Sequence, residues 1–166
     1  MSISLDGFNS APRDEAVALL RPCLDIPRWS AALVDGRPYA SVGDLVAAAE
    51  SAASPFTVDE VDGALAQHPR LGERPSGSHA EARFSRAEQA GIGTPETAVA
   101  AALLEGNLAY EKRFGRVFLI RAAGRSATEI LGALNERLGH TDAEEQPVVA
   151  DQLRQIAVLR LRRLLE

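Results

Sequence analysis

Three sets of residues in this chain have types and spacings that could do chemistry. The first is His68, in "LAQHPRLG". The proline after it pushes its backbone out of the α region, so His68 is expected just past the end of the helix over 57–67. The negative end of that helix dipole favours an imidazolium there. A positioned, charged histidine is a general acid; the plain structural alternative is a C-terminal helix cap. The second set is Ser85, Glu88 and Gln89, in "SRAEQAGI". Their i, i+3, i+4 spacing puts them on one face of a helix. Ser85-x-x-Glu88 is also a capping box, but the segment it opens closes at Gly91. That is far shorter than the roughly 12–15 residues at which isolated helices become even marginal, so tertiary contacts or a ligand must hold it. The third is Arg160. Val149, Leu153, Ile156, Ala157, Leu161 and Leu164 form an apolar stripe at helical spacing, and Arg160 falls within it while Arg162 and Arg163 fall outside. A guanidinium aimed at a core needs an anion or carbonyls. It serves either a structural ion pair, with Glu88 or another carboxylate, or an anionic ligand.

The elements that must position these residues read as helices separated by Gly, Pro and Ser. "PRDEAVALLRPC" stops before Pro22, "PRWSAALVDG" is ended by Gly36, and "SVGDLVAAAESAA" starts at a Ser cap and ends before Pro55. "TVDEVDGALAQ" opens on Thr57 and Glu60 at capping-box spacing. "TPETAVAAALLEGNLAYEKRFG" is expected to be the longest helix, with Thr94 as cap, Pro95 at its first position and Gly115 past its end. "SATEILGALNERLG" carries the box Ser126/Glu129, and "DAEEQPVVADQLRQIAVLRLRRLLE" finishes the chain. One segment breaks the pattern. "RVFLIRA", 116–122, is a short apolar run that reads as a strand without a pairing partner. The expectation is an all-α, single-domain helical bundle over 1–166 with this one extended segment pressed into it.

Composition narrows the classes. The chain has 166 residues, 46% hydrophobic and 25% charged, which suits one core. A net charge of −5 argues against a nucleic-acid binder, which would usually show a basic face. No run of 18 apolar residues offers a membrane span, and the start and end read as neither a signal peptide nor a peroxisomal address. The lone Cys23 is expected to be a buried thiol in a reducing cytoplasm. His79, in a Ser/Gly loop, and His140, at a helix end, are weaker candidates. No H-x-x-x-H or Cys/His cluster suggests a metal site, and no P-loop, G-x-G-x-x-G or G-x-S-x-G occurs.

"AQHPRLGERP", "SRAEQAGI", "NLAYEKRFGRVFLIRAAGRS" and "LRQIAVLRLRRLL", in this order, resemble the OHCU decarboxylases. These enzymes convert 2-oxo-4-hydroxy-4-carboxy-5-ureidoimidazoline (OHCU) to (S)-allantoin. Upstream, "RWSAALVDGRPYASVGDLVAAA" is similar to the family's Trp-led segment with its R-P-[FY]-x-S. The resemblance implies an all-helical fold, no cofactor and frequent homodimers; the acidic charge and the lack of an apolar span leave neither nucleic acid nor membrane as an expected partner. It implies that His68 and Glu88 are catalytic and that Pro69 touches substrate. Ser85, Arg86, Ala87 and Gln89 match the binding segment. Phe118, Leu119, Ile120, Arg121 and Ala122 match an extended segment whose backbone touches the ureidoimidazoline, with the Arg121 side chain expected to turn outward. Arg160 matches a substrate-binding arginine.

The chemistry fits these residue types. A decarboxylation needs an electron sink, and this substrate carries its own: the carbon losing CO2 adjoins a ring C=N bond. His68 is then the acid or proton relay, Glu88 engages the substrate hydroxyl or orients the proton transfer, and Arg160 holds a carboxylate or carbonyl. Ser85, Gln89 and the main chain of 118–122 suit the alternating donors and acceptors of amide and urea edges. Two other classes use the same residues: a hydrolase of another small ureide, with water activated instead, and a helical binding module without catalysis.

Overall fold

The computed structural model describes residues 2–66, 68, 84, 88 and 96–166. Among them are eight helices and no strand: α1 (Leu5–Ser10), α2 (Arg13–Leu20), α3 (Pro27–Asp35), α4 (Val42–Ser51), α5 (Val58–Leu65), α6 (Thr97–Phe114), α7 (Ala127–Arg137) and α8 (Asp142–Leu164). The all-α expectation holds. The helix starts follow local chemistry. Ser41 caps α4 by accepting from the Asp44 N–H at 3.1 Å. Thr57/Glu60 and Ser126/Glu129 exchange both bonds of a capping box. So do Thr141 and Glu144 ahead of α8, a third box that the sequence reading passed over.

Two expectations change. The helix read from Thr94 starts at Thr97, because Glu96 is extended at ψ 149°; Thr94 and Pro95 lie outside the described residues. At 18 residues it is also shorter than α8, with 23. Its other end is as read: Gly115 sits at φ 71° and returns its N–H to Glu111, a left-handed conformation that favours glycine. Helix α1 was not foreseen. Six residues are too few for a periodic signal, and tertiary anchors hold it: Phe8 is 1% exposed, and just ahead of it the Ile3 N–H bonds the Leu164 carbonyl at 2.8 Å.

The chain divides into two compact units. The first comprises Met1–Ala64 with Leu153–Glu166. Its core includes Leu20, Trp29, Leu33, Leu45, Ala49, Leu153 and Leu161. The conspicuous sequence motif "RPYAS" turns out to be architecture here. The Arg37 guanidinium closes the end of α1 on the carbonyls of Phe8 and Ala11, the Tyr39 hydroxyl donates to the Leu33 carbonyl, and Ser41 is the α4 cap. Trp29 Nε1–H and Arg154 both donate to the Ala49 carbonyl. Arg154 also reaches Ala52 and lies 4.0 Å above the Phe56 ring, so orphan carbonyls at the α4 end are satisfied by a cation. Cys23 is a buried free thiol, as expected.

The second unit, Leu65–Gln152, is built on α6, α7 and the run between them. Phe118, Ile120 and Ala122 share one core cluster with Tyr110, Ile130 and Leu134. Alternate side chains on one side are the signature of an extended chain. The segment "RVFLIRA" is thus extended, with Phe118, Leu119, Ile120 and Ala122 buried and the rest half-buried, without a ladder partner among the described residues.

Candidate active site

His68 lies where the sequence placed it. Helix α5 ends at Leu65, and the His68 N–H closes back on the Leu65 carbonyl at 3.0 Å. Its side chain is half-buried. Glu88 sits in helical backbone and is only 8% exposed. Both belong to the Leu65–Gln152 unit, as do Phe118 to Ala122. Pro69, Ser85, Arg86, Ala87 and Gln89, together with His79, Gly91 and the central loop, lie outside the described residues.

Arg160 bears out its anomalous place in the stripe. Val149, Leu153, Ile156, Ala157, Leu161 and Leu164 are all buried, and Arg160 among them is 1% exposed while Arg162 is exposed. One guanidinium nitrogen, Nη1, donates to the Pro22 carbonyl at 3.1 Å. That bond is within the first unit.

The extended segment is held by side chains instead of a sheet. Arg137 Nη1 donates to the Leu119 carbonyl at 2.7 Å, and the Arg121 N–H donates to Gln152 Oε1 at 2.9 Å. Farther along, Arg125 donates to the Arg121 carbonyl from Nε at 2.9 Å. The backbone groups of a buried strand need such partners. Arg121 is half-buried, and its Nε is out of solvent with no hydrogen-bond partner among the described residues.

Behind the segment lies a polar network the sequence reading missed. Glu145 is 1% exposed and gathers three donors. The Tyr110 hydroxyl and Arg137 Nε reach Oε1 at 2.6 and 2.8 Å, and His140 Nδ1 lies 2.9 Å from Oε2. The Arg137 guanidinium also lies 4.6 Å from the centre of the Phe118 ring. Burial pushes the Glu145 carboxyl up, but the bonds from Arg137, Tyr110 and His140 outweigh it and hold its pKa below the ordinary value. Burial, reinforced by Glu145, pushes the Tyr110 hydroxyl well above the usual tyrosine range, so it stays a donor. The signal that could have found these residues is the one that found Arg160. Ile130, Leu134 and Arg137 fall on one helical stripe, and Glu145 and Gln152 fall on the same stripe as Val149 and Ile156. All of these are buried. A charged or amide side chain in an apolar stripe marks a required partner.

The chain is similar to known proteins in sequence and in fold. The family model described as OHCU decarboxylase matches residues 9–162. A 2-oxo-4-hydroxy-4-carboxy-5-ureidoimidazoline decarboxylase of Amia calva is 33% identical over 142 residues, which covers 84% of this chain and 81% of that protein. One of the same name from Haloferax volcanii is 29% identical over 126 residues, covering 75% and 73%. A uric acid degradation bifunctional protein of Arabidopsis thaliana is 36% identical over 104 residues, covering 61% of this chain and 32% of that longer protein. In fold, the chain is similar to a crystal structure of an OHCU decarboxylase in the presence of (S)-allantoin. The TM-score is 0.69 at 22% identity, covering 93% of this chain and 99% of that one. A structure of an (S)-allantoin synthase gives a TM-score of 0.72 at 20% identity, covering 98% and 54%.

Proposed function

Because this chain belongs to the OHCU decarboxylase family, we propose that it is a carboxy-lyase working as one domain, which decarboxylates OHCU to (S)-allantoin and CO2 in urate breakdown. The observation that carries this reading is the family match over residues 9–162, which takes in His68, Glu88, the 118–122 segment and Arg160 in chain order. The burial of Glu88 and Arg160 supports it, since ionisable side chains are rarely kept from water without a task.

The reaction needs no borrowed electron sink. The bond to the carboxylate breaks and CO2 leaves. Its electron pair forms a C=C bond to the neighbouring ring carbon, while the C=N π pair moves to nitrogen, which takes a proton. The resulting enol is then protonated on that neighbouring carbon, and its hydroxyl loses a proton to become the ring carbonyl. Protonation from one face gives one hand of product. We assign His68 as the acid or relay for that proton and Glu88 to the substrate hydroxyl. Pro69, Ser85, Arg86, Ala87, Gln89 and the main chain of Phe118 to Ala122 hold the ring and ureido edges. Arg160 holds the carboxylate or a carbonyl. We also read the protein as a cytoplasmic homodimer, which light scattering on the purified chain tests.

The test of function is stereochemical. Uric acid is converted by uricase and the upstream hydrolase with and without this protein, and circular dichroism follows the product. Faster decay to a single hand of allantoin with CO2 release is the expected result. Racemic product at an unchanged rate overturns the decarboxylase reading, and ammonia release instead of CO2 favours a ureide hydrolase.

A further inference from the structure

We propose that Gln152 and Arg137 are positioning residues for the substrate-reading main chain at 118–122, a role that rests on the decarboxylase reading. The segment has no strand beside it among the described residues, so no ladder fixes where its backbone dipoles point. The packing of Phe118, Ile120 and Ala122 into the cluster with Tyr110, Ile130 and Leu134 holds it in place, but apolar contact is non-directional. Beside the local bonds from Arg125 to the Arg121 and Ala122 carbonyls, direction comes from two buried side chains: Arg137 donates to the Leu119 carbonyl at 2.7 Å, and Gln152 accepts from the Arg121 N–H at 2.9 Å.

These two bonds grip one edge of the chain. In an extended segment, the carbonyl of one residue and the N–H of the residue two further on point the same way. Leu119 C=O and Arg121 N–H are such a pair. The residue between them, Ile120, then turns its N–H and C=O to the opposite edge, and neither bonds any described residue. The grip thus consumes the inner edge and sets the outer one. Both gripping side chains are buried, Arg137 at 5% and Gln152 at 9% exposed. Arg137 is itself fixed, because Glu145 holds its Nε and the Tyr110 hydroxyl and His140 hold Glu145. Gln152 must present its oxygen, since only that end of the amide accepts an N–H.

The test separates positioning from mere support. Gln152→Met keeps length and approximate volume but removes the acceptor, whereas Gln152→Glu keeps one. In Gln152→Met, we expect the Arg121 amide to exchange faster while the rest of the core stays protected. KM should rise roughly tenfold, the worth of one ordinary hydrogen bond, with kcat within about twofold, the signature of lost uniform binding. Gln152→Glu should restore most of the KM. If Gln152→Met does not fold, Arg137→Lys carries the same KM test, since it keeps a cation for Glu145 but cannot also reach the Leu119 carbonyl. An active wild-type protein whose KM is unmoved by these changes overturns the positioning role alone. A wild-type protein that does not speed the decay overturns the decarboxylase reading, and the positioning role falls with it.

Discussion

Arg137 and Glu145 form an ion pair from which water is almost wholly excluded: Nη2 lies 2.6 Å from Oε1, and the two side chains are 6% and 1% exposed. Removing one partner strands the other. Glu145→Ala should therefore lower stability by about 3–5 kcal/mol, the usual cost of breaking a buried pair. Replacing both residues with apolar side chains of similar volume should recover part of that loss. Urea unfolding of the single and double variants measures both values; a double variant no more stable than the single one would contradict this account.

The same carboxylate makes stability depend on acid. Its folded pKa lies below the ordinary 4.5, so the unfolded chain binds a proton that the folded chain refuses. Its contribution is fully present above the unfolded pKa and is lost as pH falls through the folded one. The urea midpoint should drop as pH goes below about 4.5, and Glu145→Gln should flatten that acid limb. An unchanged slope in the variant would place the acid sensitivity elsewhere.

Glu88→Gln tests whether Ser85-x-x-Glu88 is only a cap. Gln also suits a capping box, so the melting temperature should stay within about 2 °C while turnover falls severely. Gln at Glu60 or Glu129, whose boxes open α5 and α7, should leave turnover intact. Equal and mild effects at all three positions would remove Glu88 from the chemistry.

His68→Asn should retain the fold, since the side chain is half-buried beyond the end of α5. Turnover should fall by roughly 10²–10⁴, the range for losing a general acid. Near-full activity with lost stability would make His68 a helix cap.

Two helical glycines should respond oppositely to alanine. A Cβ at Gly132 meets nothing within 4 Å, so Gly132→Ala should stabilise by about 0.5–1 kcal/mol through helix propensity. At Gly106 the added carbon would lie 2.5 Å from Leu134 Cδ2, and Leu134 is fully buried. Overpacking there costs about 1–3 kcal/mol, enough to cancel or exceed the same gain. Thermal melts of the two variants should shift apart, and a clear rise at Gly106 would show that Leu134 has room to move.

What the chain determines by itself is what neighbouring residues can settle. Ser41, Thr57/Glu60 and Ser126/Glu129 cap helices through bonds three residues long, and Gly115 closes one by adopting a positive φ, so these ends are legible in the letters. Arg160 was legible because a charge in an apolar stripe contradicts its neighbours. The same contradiction is written at Arg137, Glu145 and Gln152, but its resolution is not. The Tyr110 and Glu145 pair joins residues 35 apart, and the grips on Leu119 and Arg121 span 18 and 31. Helix α1 likewise depends on Phe8 burial and the bond from Ile3 to Leu164. Local hydrogen bonds are specified by residues that are already close along the chain. Buried carbonyls, carboxylates and guanidiniums must find partners wherever packing brings them, and only the tertiary structure decides which ones they find.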